Sequence, residues 1–406
     1  MSEQLKKLTQ VAEINPRRKA IERADDTHTS FVPMEAVDDV LGEVTQAASQ
    51  PFSKVRKGYT YFENEDVIFA KITPCMQNGK HAVVRNLIGG FGFGSTEFHV
   101  VRASPEILPE WIHYFLRRKE TLDAAIKTFT GAVGQQRVPP SFLENLEIPV
   151  PPIEEQRQIA ARLKAQLAEV ETARQAAQAQ VRDAGLLRQR LLRQTFDALH
   201  EAPVKTLGEW AKTTSGSTPS RGDKRYWSPA EIPWVKTGEV AFAPITKTEE
   251  SISRQALAEC SLALLPPQTV LIAMYGQGKT RGQSAILEVE ATTNQACFAI
   301  LPNETWDAQF LHYWLMASYE DLRNLSEGRG GNQANLNGGL LNALEIPAPS
   351  IDEQRHIVAR LKSQLAEADA VAHAAAAQLA EIERLPQRLL AQAFKTQGAG
   401  DGAAFN

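Results

Sequence analysis

The chain has 406 residues, enough for two or three domains of about 150 residues that each bury a core. Its 43% hydrophobic and 23% charged residues are typical of a globular protein and exclude a wholly disordered or fibrous one. The net charge of -4 neither indicates nor excludes a nucleic-acid partner, so any DNA-binding surface would have to be local.

Apolar runs and cysteines exclude further classes of protein. No uninterrupted apolar run approaches the roughly 20 residues of a membrane span, and the opening residues lack the apolar centre of a signal peptide. We therefore expect a cytoplasmic protein without membrane contact. Cys75, Cys260 and Cys297 lie far apart, with no histidine at ligand spacing, which predicts core thiols and no metal site.

Residues 1–146 form a first variable segment, in which short β-rich runs alternate with turns and one helical patch. The run from Asp66 to Ala70 is the clearest predicted strand. The glycines between Gly89 and Gly94 do not match the GxGxxG spacing of a nucleotide loop, because Ser95 stands where the third glycine belongs. We expect a mobile or tightly turning loop there. The segment is predicted to be a compact domain that contains both helices and strands.

Residues 147–199 are predicted to be a helical repeat that contains one long helix. The helix follows Pro152, whose missing N–H costs little at a helix start. Apolar or small side chains then recur on a heptad, which indicates a coiled-coil seam. The seam residues are Leu163, Leu167, Val170, Ala177, Val181 and Ala184.

Residues 200–344 form a second variable segment of the same kind, with predicted strands at 269–273 and 296–300. Gly276 to Thr280 resembles the end of a phosphate-binding P-loop. Ala273 stands where that motif needs a glycine, and the residues after Thr280 favour a strand over the required helix. An NTP site is therefore not predicted.

Residues 345–397 repeat the earlier helix, because residues 147–196 and 345–394 align without a gap and more than half of the positions are identical. Ser350 and Glu353 predict a capping box at the helix start. Pro386 predicts a kink or break that leaves a separate short terminal helix, and residues 398–406 are expected to be a flexible tail. The second seam consists of Leu361, Leu365, Ala368, Ala372, Ala375, Leu379 and Ile382. Its alanines allow close approach of the two helices, which we expect to pack on each other.

Catalytic motifs are missing from the sequence. A DNA methyltransferase needs a catalytic tetrapeptide of the form Asn/Asp-Pro-Pro-aromatic. The nearest string here is Asn15-Pro16-Arg17-Arg18, which has arginines in place of the second proline and the aromatic residue. Neither a Ser/His/Asp arrangement nor a carboxylate cluster for metal-dependent DNA cleavage has supporting spacing. We therefore expect a protein without catalytic activity and without a cofactor of its own.

Loops of both variable segments combine basic, amide and hydroxyl side chains with glycines, a composition suited to DNA. Arginine and lysine pair with guanine edges, asparagine and glutamine pair with adenine edges, and hydroxyls and lysines hold phosphates. The candidates in the second segment are Thr218, Ser220, Arg221, Lys236, Tyr275, Lys279, Arg281, Gln333 and Asn335. The less concentrated candidates in the first segment are Lys54, Arg56, Lys57, Lys71, Gln77, Asn78, Lys80, Gln135, Gln136 and Arg137.

These motifs together resemble the specificity subunit of type I DNA restriction-modification enzymes over essentially the whole chain. The resemblance is carried by the helix starts IPxPxIxEQRxIxxRL at 148 and 346, by the second-segment runs 207–210, 215–221 and 232–239, and by 274–280 followed by Thr293-Asn-Gln295. The first segment departs from the pattern. It lacks the Thr-Pro-Ser-Arg loop and has Phe31-Val-Pro-Met-Glu35 where the second has Pro-Trp-Val-Lys-Thr.

The resemblance implies an α+β protein with two target recognition domains, residues 1–146 and 200–344, joined by two long helices in an antiparallel coiled coil. Each domain would read one half of a split asymmetric DNA target, and the helices would set the spacing between the halves. The helices would also dock two methyltransferase subunits, which bind S-adenosylmethionine. A restriction subunit that uses ATP can join such a complex. Catalysis would lie on those partners.

The repeated Glu-Gln-Arg motif at the helix starts is a predicted docking site for the two identical methyltransferase subunits, since identical partners require identical surfaces. Ordinary helix capping is the alternative explanation. The predicted docking residues are Glu155, Gln156, Arg157, Glu353, Gln354 and Arg355. Two other interpretations of the chain stay open, a coiled-coil adaptor without DNA binding and, less well supported, a P-loop NTPase.

Overall fold

A computed structural model describes residues 5–132, 135–276, 278–327 and 335–395. The chain divides into two compact units, one comprising residues 1–179 with 376–406 and the other residues 180–375. Each unit therefore contains one variable segment and a part of each long helix. The predicted tail 398–406 and the candidate Gln333 lie outside the described residues.

The elements of the first variable segment alternate strands with short helices. Its strands are β1 (Leu5–Lys7), β2 (Ala12–Ile14), β3 (His28–Val32), β4 (Ala48–Pro51), β5 (Thr60–Glu63), β6 (Val67–Ala70), β7 (His81–Val83), β8 (Phe91–Gly94), β9 (Phe98–Ala103) and β10 (Glu147–Pro149). Its helices are α1 (Leu8–Val11), α2 (Phe52–Val55), α3 (Pro109–Leu116), α4 (Lys119–Ile126) and α5 (Pro140–Asn145).

The first long helix, α6 (Ile153–Asp197), precedes the second variable segment, which repeats the same plan. Its strands are β11 (Val204–Thr206), β12 (Thr213–Ser215), β13 (Ile232–Val235), β14 (Glu250–Ile252), β15 (Val270–Ala273), β16 (Ser284–Ile286), β17 (Thr292–Thr293), β18 (Cys297–Ile300) and β19 (Glu345–Pro347). Its helices are α7 (Leu207–Trp210), α8 (Arg254–Glu259), α9 (Ala308–Ala317), α10 (Tyr319–Glu327) and α11 (Gly338–Asn342), and the second long helix, α12 (Ile351–Lys395), ends the series.

Each unit contains two main sheets, which we name the core sheet and the outer sheet. The core sheets are antiparallel, in the orders β2-β9-β6-β7 and β12-β18-β15-β16. The outer sheets have the orders β4-β3-β8-β5 and β14-β13-β17, and β3 with β8 and β13 with β17 are parallel pairs. A further two-stranded sheet, β1 with β10 or β11 with β19, joins the start of each segment to the strand before its long helix.

The equivalence of the two outer sheets agrees with the sequence comparison. Phe31 lies on β3 opposite Phe93 of the parallel strand β8, and Trp234 lies on β13 opposite Thr292 of β17. The two strands therefore occupy corresponding places although their sequences differ. The two runs therefore lie on corresponding strands, offset by one residue, with Phe31 in the place of Trp234.

The central strands β6 and β15 are buried on both faces, which explains their uninterrupted apolar sequences. Successive side chains of a strand point to opposite faces. Val67 and Phe69 accordingly pack in the cluster that contains Trp111 of α3, whereas Ile68 and Ala70 pack in the cluster that contains Phe62. The alternation recurs along β15, so each central strand separates two hydrophobic cores.

The glycine-rich run at 89–94 corrects a prediction of the sequence analysis. Gly89 and Gly90 have positive φ angles of 71° and 82° and make the expected turn. The remainder, however, is the inner strand β8. A Cβ atom at Gly94 would lie 2.5 Å from the Val32 carbonyl oxygen, so close strand pairing, rather than mobility, requires this glycine.

The long helices begin where the sequence predicts. Ser350 Oγ accepts a hydrogen bond from the Glu353 N–H at 3.3 Å, and the Pro152 carbonyl accepts from the Glu155 N–H at 2.9 Å. The predicted break at Pro386 is wrong, because α12 continues through it to Lys395. Tertiary packing beyond the proline, at Leu390 and Phe394, outweighs the one lost backbone hydrogen bond.

Within each unit the start of one long helix packs beside the end of the other, as an antiparallel coiled coil requires. Ala160 and Leu163 of α6 share the first unit's core with Leu390 and Phe394 of α12. In the second unit, Leu192 and Phe196 of α6 share a core with residues at the start of α12, which are Ile357, Leu361 and Leu365. Predicted seam positions are buried, among them Leu163, Ala177, Ala184, Leu361, Leu365, Ala368 and Ala375.

Candidate nucleic-acid interface

The candidate residues of the second unit lie mainly on loops at one end of the core sheet. The antiparallel register places Ser215, at the end of β12, opposite Phe298 and places Ala273, at the end of β15, opposite Cys297. The loops that follow β12 and β15 and the loop that precedes β18 therefore leave the sheet at the same end. They carry Thr218, Ser220, Arg221, Tyr275, Lys279 and Gln295.

Backbone contacts hold these loops together. The Ser217 N–H donates to the Thr293 carbonyl at 3.0 Å, and the Asn294 N–H donates to the Val235 carbonyl at 3.0 Å. Thr218 Oγ1 donates to Gln295 Oε1. Gly216 approaches so closely that an added Cβ would lie 1.8 Å from the Thr293 carbonyl oxygen. The Thr-Pro-Ser-Arg loop and the Thr-Asn-Gln run thus form one surface with the end of β13.

Arg221 is held over two tryptophan rings in this surface. Its guanidinium carbon lies 3.9 Å from the ring centroid of Trp227 and 5.0 Å from that of Trp234. The indole N–H groups donate to the Ser220 and Ser217 carbonyls at 3.0 Å each, which fixes the loop relative to the rings. Arg221 is thereby presented at the surface in a defined orientation while it stays exposed.

Glu250 connects Arg221 with Lys236. It forms an ion pair with Arg221, and its Oε1 lies 3.2 Å from Lys236 Nζ. The hydrogen bond from Arg221, with that from Lys236, holds the pKa of Glu250 below its usual range. Glu249 accepts a further bond from Lys236 and is the main cause of the raised pKa of that amine. Both side chains are therefore oriented by carboxylates that the sequence analysis did not identify.

The loop after β15 is anchored separately, on α10. Tyr319 donates its hydroxyl to the Lys279 carbonyl at 2.6 Å, and Arg323 donates to the Gly278 carbonyl at 2.8 Å. Tyr275, with 39% of its surface exposed, and Lys279 face solvent. Arg281 is only 8% exposed, which corrects its prediction as a base-contacting residue in this conformation, because its side chain lies inside the unit.

Two further predictions concern residues next to the loop after β15, namely the missing P-loop helix after Thr280 and the candidate Asn335. Thr280 is followed by a turn and then by strand β16, as expected for a chain without a P-loop helix. Asn335 is half-buried, next to Leu336, whose N–H donates to the Met274 carbonyl at 3.1 Å. Asn335 therefore lies beside the strand end from which the Tyr275 loop emerges.

Most candidates of the first unit lie at the corresponding end of its core sheet, whereas Lys54, Arg56 and Lys57 lie in or just after α2. Lys71 follows the end of β6, and its carbonyl accepts from the Val138 N–H at 2.9 Å. The Thr73 N–H donates to the Gln136 carbonyl at 3.0 Å, so the loops at 71–80 and 135–138 lie together. Gln77, Asn78 and Gln135 are exposed on this surface. The structure therefore brings these candidates into one place.

Two basic side chains of this set are engaged within the unit. Lys80 Nζ donates to the Val37 carbonyl at 2.6 Å, where it supports a loop. Arg137 forms two hydrogen bonds to Glu97, at 2.9 and 2.8 Å, and these bonds lower the pKa of the Glu97 carboxyl. Lys80 thus supports a loop within the unit, and both side chains are half-exposed, so their prediction as DNA contacts stays a prediction.

The Glu-Gln-Arg motif divides into exposed and buried positions. Gln156 and Gln354 are fully buried, with 0% exposed surface, which corrects their prediction as docking residues. Gln156 accepts from the Leu108 N–H at 2.9 Å and donates to the Glu106 carbonyl at 3.0 Å. Gln354 makes the same pair of bonds with Asp307 and Thr305. The exposed positions are Glu155, Arg157, Glu353 and Arg355.

Within the described part of the chain, no group of three or more histidine, cysteine, aspartate or glutamate side chains is placed to hold a metal ion. Cys297 is buried, and burial raises the pKa of its thiol to about 12. Cys75 and Cys260 are half-buried free thiols. Among the helices that the structure describes, none is long and apolar enough to cross a membrane.

Known specificity subunits match this chain in sequence. The EcoAI specificity subunit of Escherichia coli is 37% identical over 156 residues, which are 38% of this chain and 26% of that protein. The EcoR124I/EcoR124II specificity subunit of the same organism is 28% identical over 159 residues, or 39% of either chain. The match thus spans about a quarter of the EcoAI protein.

Two solved structures share the fold over almost the entire chain. The HsdS subunit from Thermoanaerobacter tengcongensis has a TM-score of 0.67 at 23% identity and covers 98% of this chain and 97% of its own. A chain solved for the assembly and conformational transition of the type I R-M system has a TM-score of 0.74 at 23% identity and covers 97% of both chains.

A family model provides the widest evidence. The model described as type I restriction modification DNA specificity domain matches residues 3–179 and, a second time, residues 201–380. Each match contains one variable segment and much of the long helix that follows it. The chain therefore belongs to the family of type I restriction modification DNA specificity domains, of which it carries two copies.

Proposed function

We propose that this chain is the DNA-recognition subunit of a type I restriction-modification complex, in which each specificity domain reads one half of a split asymmetric target. The observation that carries the proposal is the pair of corresponding core-sheet ends. They rest on the same scaffold but carry different polar loops, Arg221 with Lys236 on one and Gln77 with Arg137 on the other. Two unlike surfaces suit two unlike half-sites.

The exposed members of the Glu-Gln-Arg motif would dock two identical methyltransferase subunits. Glu155 and Arg157 recur as Glu353 and Arg355 at the same place on each helix start, beside a buried glutamine that fixes the backbone there. Repetition of the same charges supports repetition of the same partner. S-adenosylmethionine would be bound by those partners, a restriction subunit that uses ATP could join them, and the complex would act in the cytoplasm.

The adaptor interpretation explains the helices but not the held orientation of Arg221 over two tryptophans. The deciding experiment expresses the chain with its methyltransferase partner and maps methyladenine by single-molecule sequencing. We expect methylation at one two-part motif with a constant spacer. An adaptor without DNA binding would leave the methylation pattern independent of substitutions in either specificity domain.

Arg221→Ala is the informative variant, with Arg254→Ala as its control because Arg254 is an exposed arginine of the same unit. A base contact at Arg221 costs about 1 to 3 kcal/mol and relaxes one position of one half-site, whereas a phosphate contact weakens all sequences alike. In either case the other half-site keeps its preference. Equal effects on both half-sites would contradict the assignment of one half-site to each domain.

A further inference from the structure

A second basic surface lies at the same core-sheet end of the first unit and joins the candidates Lys54, Arg56 and Lys57 to two arginines that the sequence analysis did not identify as DNA contacts. It joins the loop after β2 to the end of α2 and comprises Arg17, Arg18, Lys54, Arg56 and Lys57, which we name the Arg18 surface. The two segments are in direct contact, because Arg18 Nη1 donates to the Arg56 carbonyl at 2.5 Å. All five side chains are exposed.

Arg18 is held against aromatic rings, as Arg221 is. Its guanidinium carbon lies 5.1 Å from the ring centroid of Phe93 and 5.6 Å from that of Phe52. Phe52 and Phe93 are buried and pack on each other, with ring centroids 6.1 Å apart. The rings therefore form a rigid floor that limits the positions of the guanidinium group.

Arg18 and Arg221 lie on corresponding loops of their units, although the aromatic strands that they contact, β8 and β13, are not counterparts. Arg18 lies on the loop that follows β2, the edge strand of the first core sheet, and Arg221 lies on the loop that follows β12, the edge strand of the second. Each loop crosses to the outer sheet of its own unit, where the arginine meets an aromatic side chain, Phe93 of β8 or Trp234 of β13. The correspondence is structural, since the two loops have different sequences.

The charge of the Arg18 surface indicates the chemistry of its ligand. Segments 16–27 and 52–58 contain seven lysines and arginines against three carboxylates, within a chain whose net charge is -4. Arg56 pairs with Asp25 at 2.7 Å. The side chains of Arg17, Lys54 and Lys57 form no hydrogen bond or ion pair with the residues that the structure describes. An exposed cluster of three cations without such bonds, beside an arginine held over aromatic rings, is suited to a polyanion.

We propose that the Arg18 surface binds the phosphate backbone of DNA, with Arg18 as the counterpart of Arg221 and with Arg17, Lys54 and Lys57 as phosphate contacts. This inference rests on the proposed DNA-recognition function and extends it to residues outside the loops at 71–80 and 135–138. The surface continues the DNA-facing end of the core sheet along the outer sheet of the same unit.

The test measures the salt dependence of binding to a random-sequence DNA duplex by the full chain assembled with its methyltransferase partner. Each phosphate contact contributes close to one unit to the slope of log K against log salt concentration. We expect Arg17→Ala with Lys57→Ala to make the slope shallower by about 2 and to weaken binding of every sequence alike. Arg17→Lys with Lys57→Arg should restore the slope.

The matched control is Lys7→Ala with Lys119→Ala, which also removes two exposed cations from the first unit but on β1 and α4. Its slope should equal that of the parent. Thermal unfolding of each variant is recorded as a check that it remains folded. If the parent binds DNA and the Arg17/Lys57 variant keeps the parental slope, the Arg18 surface is not a phosphate site although the proposed function stands. If the parent binds no DNA, both proposals are overturned.

Discussion

Gln156 and Gln354 are single side chains that fix the direction in which a long helix leaves its domain. Each amide bridges the backbone before α3 or α9 to the first turn of the helix, with a third bond to the carbonyl of Pro151 or Pro349 at 2.8 or 2.9 Å. Full burial and three bonds leave little freedom to the amide. The motif therefore combines an internal anchor with exposed charges on either side.

Replacing the buried glutamine should destabilise the protein. We expect Gln156→Ala to lower the free energy of unfolding by about 2 to 4 kcal/mol, because three hydrogen bonds of a buried amide are lost and the Leu108 N–H is left without its partner. Arg157→Ala, on the exposed side of the same turn, should change it by less than about 0.5 kcal/mol. Urea denaturation measures the free energy of unfolding of both variants, and equal denaturation midpoints would contradict the anchoring role of Gln156.

His81 makes the stability of the first unit depend on pH. Its ring is buried, stacks on Phe69 at 4.2 Å between centroids, and has a pKa lowered from 6.5 to about 3, mainly by burial and further by the charge of Arg117. Because the unfolded state then binds a proton that the folded state does not, stability is lost as the pH falls from about 6.5 toward 3.

We expect His81 to contribute up to about 1.4 kcal/mol of lost unfolding free energy per pH unit in that window. His81→Leu should remove this contribution and flatten the decline between pH 6.5 and 4 relative to the parent. His373→Leu, which removes an exposed imidazole from α12, is the control. Thermal unfolding recorded at several pH values provides the comparison. If stability falls with pH in parallel for the parent and His81→Leu, His81 does not contribute to the pH dependence.

At the scale of the elements, local pattern predicted β6, β15, β18 and both long helices, because buried strands and heptad seams leave periodic apolar residues in the sequence. Partners distant in sequence were not predictable. Gln156 looks like a surface residue until the backbone of Leu108 is placed beside it, and Arg281 looks exposed until α10 covers its loop. Arg18 was not predicted as a DNA contact because the two rings that hold its guanidinium group, Phe52 and Phe93, are distant from it in the sequence.

Pro386 is the clearest conflict between local preference and tertiary structure. Around it, Gln387 accepts from the Lys119 N–H at 2.8 Å and donates to the Arg117 carbonyl at 3.0 Å. Pro386→Ala should restore the missing N–H and raise the unfolding free energy by about 1 to 3 kcal/mol. Guanidinium denaturation measures the change. A lower stability would mean that the pyrrolidine ring supplies packing worth more than the backbone bond.

At the scale of the whole molecule, α6 and α12 each have 45 residues and each contribute to both units. A straight α-helix of that length is about 68 Å long. This continuity makes the paired helices the candidate determinant of the spacer between the two half-sites, since a change in helix length cannot be absorbed by a flexible linker.

Inserting four residues after Ala179 in α6 and four after Ala375 in α12 lengthens each helix by about 6 Å and nearly one turn. We expect the preferred spacer to grow by about one or two base pairs, at roughly 3.4 Å per pair, while both half-site sequences stay the same. Single-molecule mapping of methyladenine measures the spacer. Retained activity with an unchanged spacer would mean that another feature sets the distance.

The central strands β6 and β15 each divide two cores, and the loops that carry the candidate residues begin only where these strands end. Substitutions at the exposed positions of those loops, such as Tyr275 and Lys279, therefore leave both cores intact. The two halves of this chain keep corresponding core sheets of four strands but differ in their loops, and their outer sheets have four and three strands. New loops can therefore change the surface that such a chain presents while the core sheet that carries them stays folded.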